Sequence, residues 1–119
     1  YQWDELRYSS MKMNQALAQV YAENLKTTGR VAMVPKAGPG AGSTDMGNVS
    51  QIVPAIHPMI AIAPRGVGIH SLEFARAAAS AEGLKGLFDG AKAAAMTVTD
   101  LLARPALLAE IKEEFLKST

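Results

Sequence analysis

From Ser71 to its end, the sequence reads as helix almost without interruption, and this feature constrains the fold most. Apolar residues recur at three- and four-residue spacing over 84–102 and again over 107–115, as on helices with one apolar stripe. Ser71 stands where an N-cap residue belongs, and Gly83 and Pro105 divide the segment. The sequence predicts a helix through 75–81 that ends near Gly83, a long second helix and a last one. The last helix is predicted to have Lys112, Glu113, Glu114 and Lys117 on its outer side.

The first half of the chain contains one clear helical pattern. Its apolar positions are Leu17, Val20, Tyr21 and Leu25. Their spacing predicts an amphipathic helix over 13–28, with Asn14 as the N-cap and Gly29 just beyond the C-terminus.

Two short apolar runs in this half predict strands. Residues 31–34 are stopped by Pro35, and residues 58–63 are apolar throughout, as in a strand buried on both faces. Glycine-rich loops follow each run, and residues 45–51 fit either one helical turn or an irregular segment. The predicted fold class is α/β, a helix-rich piece with about four helices and a few strands that join a larger sheet.

Composition excludes several classes of function. There are 12 Lys+Arg against 11 Asp+Glu, so a formal net charge of +1 offers no electrostatic footprint for nucleic acid or an anionic membrane. The absence of cysteine excludes a disulfide scaffold, a thiolate zinc finger and a cysteine nucleophile. The two histidines are too few for a self-contained histidine-rich catalytic metal site, which usually takes three protein ligands.

The loop that ends in Ser43, Thr44 and Asp45 invites two interpretations. It is not a phosphate-binding loop, because that motif needs a lysine directly after its second glycine. Its polar residues are typical of turns, where their side chains cap backbone amides. Spacing alone favours this structural role. The alternative is a carboxylate displayed at the edge of the loop, close to a helix N-terminus.

The two histidines stand in different surroundings. His57 enters an apolar run, where a hydrogen-bonded structural residue is the usual finding. His70 ends a Gly-Val-Gly loop and immediately precedes a helix start. It fits equally well a helix cap and a metal ligand.

Two strings, 42–50 and 68–74, carry a resemblance to a known family. Together they resemble the aminoacylase and carboxypeptidase G family of zinc-dependent amidohydrolases, in metallopeptidase clan MH. The most similar branch contains aminobenzoyl-glutamate hydrolases and aminoacylase-like proteins. The tail at 101–105 and the helix after it also look like the C-terminus of the family, so the resemblance covers almost the whole chain.

The resemblance implies roles for individual residues. His70 would be a metal ligand, for zinc or another divalent cation. The loop with Ser43, Thr44 and Asp45 would lie at the active-site cleft, where Asp45 orients the metal ligands or contacts substrate. Glu73 would support the start of its helix, and His57 stays a structural residue.

The resemblance also implies that residues 1–119 are a single domain, the C-terminal segment of a catalytic domain split by a lid. The remaining ligands and the general base would lie in the missing half. The intact hydrolase would cleave an amide bond of an N-acyl amino acid, a dipeptide or an aminobenzoyl-glutamate-like substrate. Alone, the segment is expected to be inactive and to bind no metal. Its expected partners are the rest of the catalytic domain, the lid and the small substrate, and it could also form a homo-oligomer. Neither nucleic acid nor a membrane is expected as a partner. The expected location is the cytoplasm.

A non-catalytic helical interaction module is the alternative. The apolar stripe over 84–102 and the spacing of Gly86 and Gly90, which would let another backbone approach closely, fit a partner-binding helix equally well. Periodicity reports which face is buried and does not report the purpose of the burial.

Overall fold

The computed structural model describes residues 8–34 and 44–118. These residues contain five helices and no strand, apart from one isolated parallel bridge between Met13 and Ala55. The helices are α1 (Gln15–Lys26), α2 (Met46–Ser50), α3 (Leu72–Ala78), α4 (Ala81–Ala103) and α5 (Pro105–Lys117). Within the described ranges, no helix is both long enough and apolar enough to cross a membrane.

The predicted first helix is confirmed, with ends two residues inside the predicted ones. Asn14 is its N-cap, and the Asn14 Oδ1 accepts a hydrogen bond from the Leu17 amide at 2.9 Å. The Asn14 Nδ2 donates to the Ile111 carbonyl in α5, so one buried side chain begins α1 and also joins it to α5. Gly29 follows the helix with φ of 83°, a left-handed conformation in which glycine carries no Cβ penalty.

The C-terminal half forms the three predicted helices, but the first boundary differs. Ser71 caps α3 as predicted, through a hydrogen bond from the Phe74 amide to its Oγ. The helix ends at Ala78 and does not reach Gly83, because Ser80 caps a new helix by accepting from the Gly83 amide at 3.2 Å. Pro105 begins α5, at the position where its missing N–H has no helical partner to lose.

The apolar stripe of α4 lies on the outside of the molecule. The face of α4 that packs inward consists of small and polar residues, namely Gly83, Gly86, Asp89, Ala93 and Thr97. Leu101 of the stripe is half-buried, and the other large apolar residues are exposed; they are Leu84, Leu87, Phe88, Val98 and Leu102. The neighbours that approach Gly86 and Gly90 closely are the side chains of Ile60 and Ile62, and not the backbone that the glycine spacing predicted.

The core lies where α1 crosses α4. Tyr21, Leu25 and Ala93 are buried together, and the apolar side chains that pack around them are Ala32, Ile56 and Ile60. Burial raises the pKa of Tyr21, whose hydroxyl donates to the Gly90 carbonyl of α4 at 3.5 Å. Polar contacts complete this interface, since the Asn24 amide donates to the hydroxyl of Thr97 and to a carboxylate oxygen of Asp100.

The last helix packs across the start of α1. Ile111 is 2% exposed, which confirms the predicted inner side of α5. The placement of Glu114 on the outer side was wrong. Its carboxylate accepts from the Gln15 and Ala16 amides, at 2.5 and 2.8 Å. These amides belong to the first turn of α1, where helical N–H groups lack intrahelical acceptors and a negative charge is stabilising.

The two predicted strands are not strands in this structure. Residues 31–34 and 58–63 carry no ladder pairing, and the only bridge of the described residues lies elsewhere. Side chains nevertheless alternate over the first run, since Val31 and Met33 are 91% and 88% exposed while Ala32 and Val34 are half-buried. A strand needs a neighbour for its backbone hydrogen bonds, and the described part of the chain supplies none to these two segments.

Candidate functional site

The polar loop predicted at the cleft ends at the short helix α2. The Met46 amide donates to the Thr44 Oγ1 at 3.3 Å, so Thr44 caps this helix start. Behind it, the buried Ser50 hydroxyl donates to the Gly47 carbonyl and accepts from the Lys12 amide. At Gly47 an added Cβ would overlap the Ser9 carbonyl oxygen. The helix is therefore held closely against residues 9–12, and this contact fixes where Thr44 stands.

Thr44 is also in contact with one of the two histidines. Its Oγ1 lies 3.1 Å from the His57 Nδ1, and the imidazole is exposed. A threonine hydroxyl both donates and accepts, so either neutral tautomer of His57 satisfies this contact. The structure thus joins two residues that the sequence assigned to different roles. No local pattern pointed to the pair, because 13 residues separate them.

Asp45 displays its carboxylate at the edge of the loop. The residue occupies the N-cap position of α2, but its side chain makes no capping hydrogen bond and is exposed. Both interpretations of this loop therefore hold for different residues: Thr44 caps the backbone, and Asp45 displays its carboxylate. Ser43 lies outside the described residues.

His70 stands on the second glycine loop. Gly66 turns the chain with φ of 94°, and the exposed His70 comes immediately before the cap of α3. Because the Ser71 hydroxyl accepts from the Phe74 amide and donates to the Gly68 carbonyl, Ser71 is the capping residue. The imidazole of His70 is therefore not needed as the N-cap. Glu73 is exposed in the first turn of α3, where a negative charge suits the helix dipole.

The described residues do not by themselves form a metal site. Over residues 8–34 and 44–118, no group of three or more His, Asp or Glu side chains is placed to hold a metal ion. A catalytic zinc usually takes three protein ligands and keeps an open position. Among these residues, His70 offers one exposed imidazole. The ligand role of His70 stays a prediction.

A buried carboxylate on α4, away from both loops, is paired with two cationic side chains. Asp89 on α4 receives hydrogen bonds from Lys85 at 2.6 Å and Arg30 at 2.7 Å, and these contacts lower the pKa of Asp89. Arg30 also donates to the Ala61 carbonyl at 2.8 Å. The cluster ties the chain after α1 to α4 and to the segment that leads to the His70 loop. The sequence analysis did not identify this cluster, because only Lys85 lies close to Asp89 in the sequence, one helical turn away. Arg30 is 59 residues away.

Comparison with known proteins gives a clear relationship. No protein-family model matches the chain. The chain is 38% identical over 111 residues to the Xaa-Arg dipeptidase of Mus musculus, a match that covers 91% of this chain and 25% of the relative. It is 37% identical to the Xaa-Arg dipeptidase of Homo sapiens, with the same coverage. The chain is therefore homologous to these dipeptidases and spans about a quarter of their length.

Proposed function

We propose that this chain is a segment of the catalytic domain of a longer metal-dependent hydrolase that cleaves the amide bond of a dipeptide or a related N-acyl amino acid. One observation carries the proposal. The match to Xaa-Arg dipeptidases runs over 91% of the chain and includes both strings that predicted an amidohydrolase. An aminobenzoyl-glutamate-like amide is a further substrate of the same chemical class.

The proposed contribution of this segment is a part of the site. His70 would supply one ligand to zinc or another divalent cation, and the remaining ligands and the general base would come from the rest of the longer protein. Thr44 and Asp45 would line the cleft, where the exposed Asp45 carboxylate is available to a substrate or to a metal ligand. Because the described residues form no complete metal site, no catalytic step is assigned to this chain alone.

The surroundings of residues 31–34 and 58–63 support the proposal that these two segments join a larger sheet in the longer protein. Ile60 and Ile62 pack on α4, whereas Met59 and the alternate side chains of 31–34 are exposed. A layer of extended chain that is covered by helices on one face and apolar on the other is half of an α/β sandwich. The rest of the catalytic domain, a lid and a cytoplasmic setting belong to this proposal.

Substitution of His70 in the longer protein that contains this chain tests the proposal. His70→Ala should reduce bound metal, measured by elemental analysis, and abolish dipeptide hydrolysis, with an unchanged circular dichroism spectrum. Glu73→Gln, three residues away in the first turn of α3, is the matched control and should keep both.

The alternative is the non-catalytic interaction module, which the exposed stripe of α4 favours. It predicts that His70→Ala leaves metal content and hydrolysis as they were in the unsubstituted protein. That result would contradict the catalytic proposal.

A further inference from the structure

His57 stands at a place on the surface that its own backbone fixes. Shortly before it, the buried Ala55 accepts a hydrogen bond from the Asn14 amide at 3.0 Å, in the parallel bridge that joins Met13 and Ala55. Ile56 then packs against the core. The imidazole that follows is exposed, so the ring itself lies outside the core.

Thr44 is fixed from the other side, by the short helix α2 that it caps. This helix is held against residues 9–12, for example by the bond of 2.9 Å from the Lys12 amide to the Ser50 Oγ. The same stretch of chain continues into the bridge that anchors His57. The contact of 3.1 Å between the Thr44 Oγ1 and the His57 Nδ1 therefore joins two residues whose backbones are already placed.

The contact orients a side chain and adds little to the stability of the fold. A hydrogen bond between groups that water can reach contributes little net free energy, and the ring is exposed. The Thr44 Oγ1 also accepts from the Met46 amide at 3.3 Å, so His57 bonds to the very hydroxyl that caps α2. The carboxylate of the next residue, Asp45, is exposed and makes no capping bond. The polar contacts of this loop thus converge on Thr44 and leave the carboxylate beside it available.

We infer that His57 is a positioning residue for the proposed reaction: through the Thr44 hydroxyl, it fixes the orientation of Asp45, whose carboxylate accepts a hydrogen bond from an N–H group of the substrate. The inference rests on the proposed function, in which Asp45 lines the cleft. An ionised carboxylate only accepts hydrogen bonds, and dipeptides and N-acyl amino acids offer amide N–H donors. A binding group of this kind acts only when supporting contacts hold it in the productive geometry.

The contact does not depend on the protonation state of His57. A neutral imidazole either accepts from the threonine hydroxyl or donates to it, and an imidazolium donates from Nδ1. The Met46 amide uses one lone pair of the hydroxyl oxygen, and a second lone pair remains for such a donor. An uncharged side chain with a polar atom in the place of Nδ1 should therefore preserve the contact. Asparagine provides one, because its amide atoms are attached to Cγ as Nδ1 is.

Steady-state kinetics of the longer protein that contains this chain test the inference. His57→Ala should raise KM about tenfold and leave kcat and bound metal unchanged, because a contact made equally in the ground and transition states affects KM alone. His57→Asn should keep KM within about threefold of the parent protein, with the same pH profile of kcat/KM. Gln19→Ala is the matched control. It removes an exposed side-chain hydrogen bond to Glu23 on α1 and should change neither constant.

Thr44→Val removes the contact from its other partner, and it carries the test if His57→Ala does not fold. It should raise KM at least as much as His57→Ala does, since it also removes the cap of α2. In the double variant, His57→Ala should add little to the effect of Thr44→Val, because both remove the same bond.

Four results would each overturn the inference: a KM of His57→Ala equal to that of the parent, a KM of His57→Asn as high as that of His57→Ala, additive effects in the double variant, or loss of bound metal from His57→Ala. The last result would make His57 a metal ligand. A parent protein that hydrolyses neither dipeptides nor N-acyl amino acids would contradict the proposed function, and this inference with it. An active parent with unaffected variants would overturn the inference alone.

Discussion

At the residue scale, Asp89 shows how a single side chain joins three parts of the chain. Its carboxylate is almost fully buried and accepts from Lys85 one turn earlier and from Arg30 beyond α1. Arg30 in turn donates to the Ala61 carbonyl. A buried carboxylate is tolerated when it is paired and hydrogen-bonded, and removal of one partner leaves an uncompensated group.

The charge of Asp89 predicts a pH-dependent stability. Its pKa is lowered in the folded chain by the hydrogen bonds from Lys85 and Arg30. The stabilisation is therefore fully present above the unfolded pKa of about 3.9 and is lost as the pH falls through the lower folded value. Asp89→Asn should lower the Tm at pH 7, and the difference from the parent chain should shrink as the pH falls below about 4.

Thermal unfolding followed by circular dichroism at pH 7, 5 and 3 measures this effect. Glu113→Gln is the control, because Glu113 forms an exposed pair with Lys117 and should change the Tm little. A Tm difference for Asp89→Asn that is the same at all three pH values would contradict the assignment.

At the element scale, α4 is packed through its small residues. An added Cβ at Gly86 would lie 2.5 Å from the Ile62 Cγ2, a branched methyl group on a stiff side chain. At Gly90 the nearest atom is the Ile60 Cγ1, at 3.2 Å. The two glycines therefore differ in how much space their neighbours leave, although both lie on the same helix.

This difference predicts that the same substitution destabilises the chain more at Gly86 than at Gly90. Alanine gains about 1 kcal/mol of helix propensity over glycine at either site, and overpacking costs about 1–3 kcal/mol where the neighbour cannot yield. Gly86→Ala should lower the free energy of unfolding by up to about 2 kcal/mol. Gly90→Ala should cost less than Gly86→Ala, because the Ile60 Cγ1 at 3.2 Å has to move by only a few tenths of an ångström. Urea unfolding measures both free energies. An equal loss of stability in the two variants would show that the Ile62 contact does not restrict the side chain that fits at position 86.

At the scale of the whole molecule, the described residues offer apolar surface and one candidate metal ligand but no complete metal site. The described residues place no three metal-ligating side chains together, and the chain spans a quarter of its relatives. Hydrolysis of a dipeptide by a zinc enzyme needs a bound metal with an open position, and one imidazole does not hold such an ion.

The chain by itself should therefore be inactive. With excess zinc and a panel of dipeptides and N-acyl amino acids, it should release no amino acid above the rate without protein. The full-length mouse relative, assayed beside it, is the positive control. Turnover by the isolated chain would show that the site is complete within these residues and would contradict the proposed division of the catalytic domain.

The local features of the helices could be predicted from the sequence, because a cap acts within one turn. Asn14 and Ser71 were identified as N-caps from their own positions, and both bond to the amide three residues on. Ser80 could have been found in the same way, which would have ended α3 earlier. The Thr44–His57 contact and the Arg30–Asp89 pair could not, because their partners are brought together only by folding.

By itself, the sequence determined that α1, α3, α4 and α5 form, and that Asn14 and Ser71 cap two of them. It also carried the resemblance that the dipeptidase match supports in its coarser form. Only the tertiary structure decided that α4 packs through its small face and leaves its large apolar residues outside. It also decided that residues 31–34 and 58–63 form no strand. The physical reason is that periodicity records which residues avoid water in the complete protein, whereas packing and strand pairing depend on the neighbours that are present.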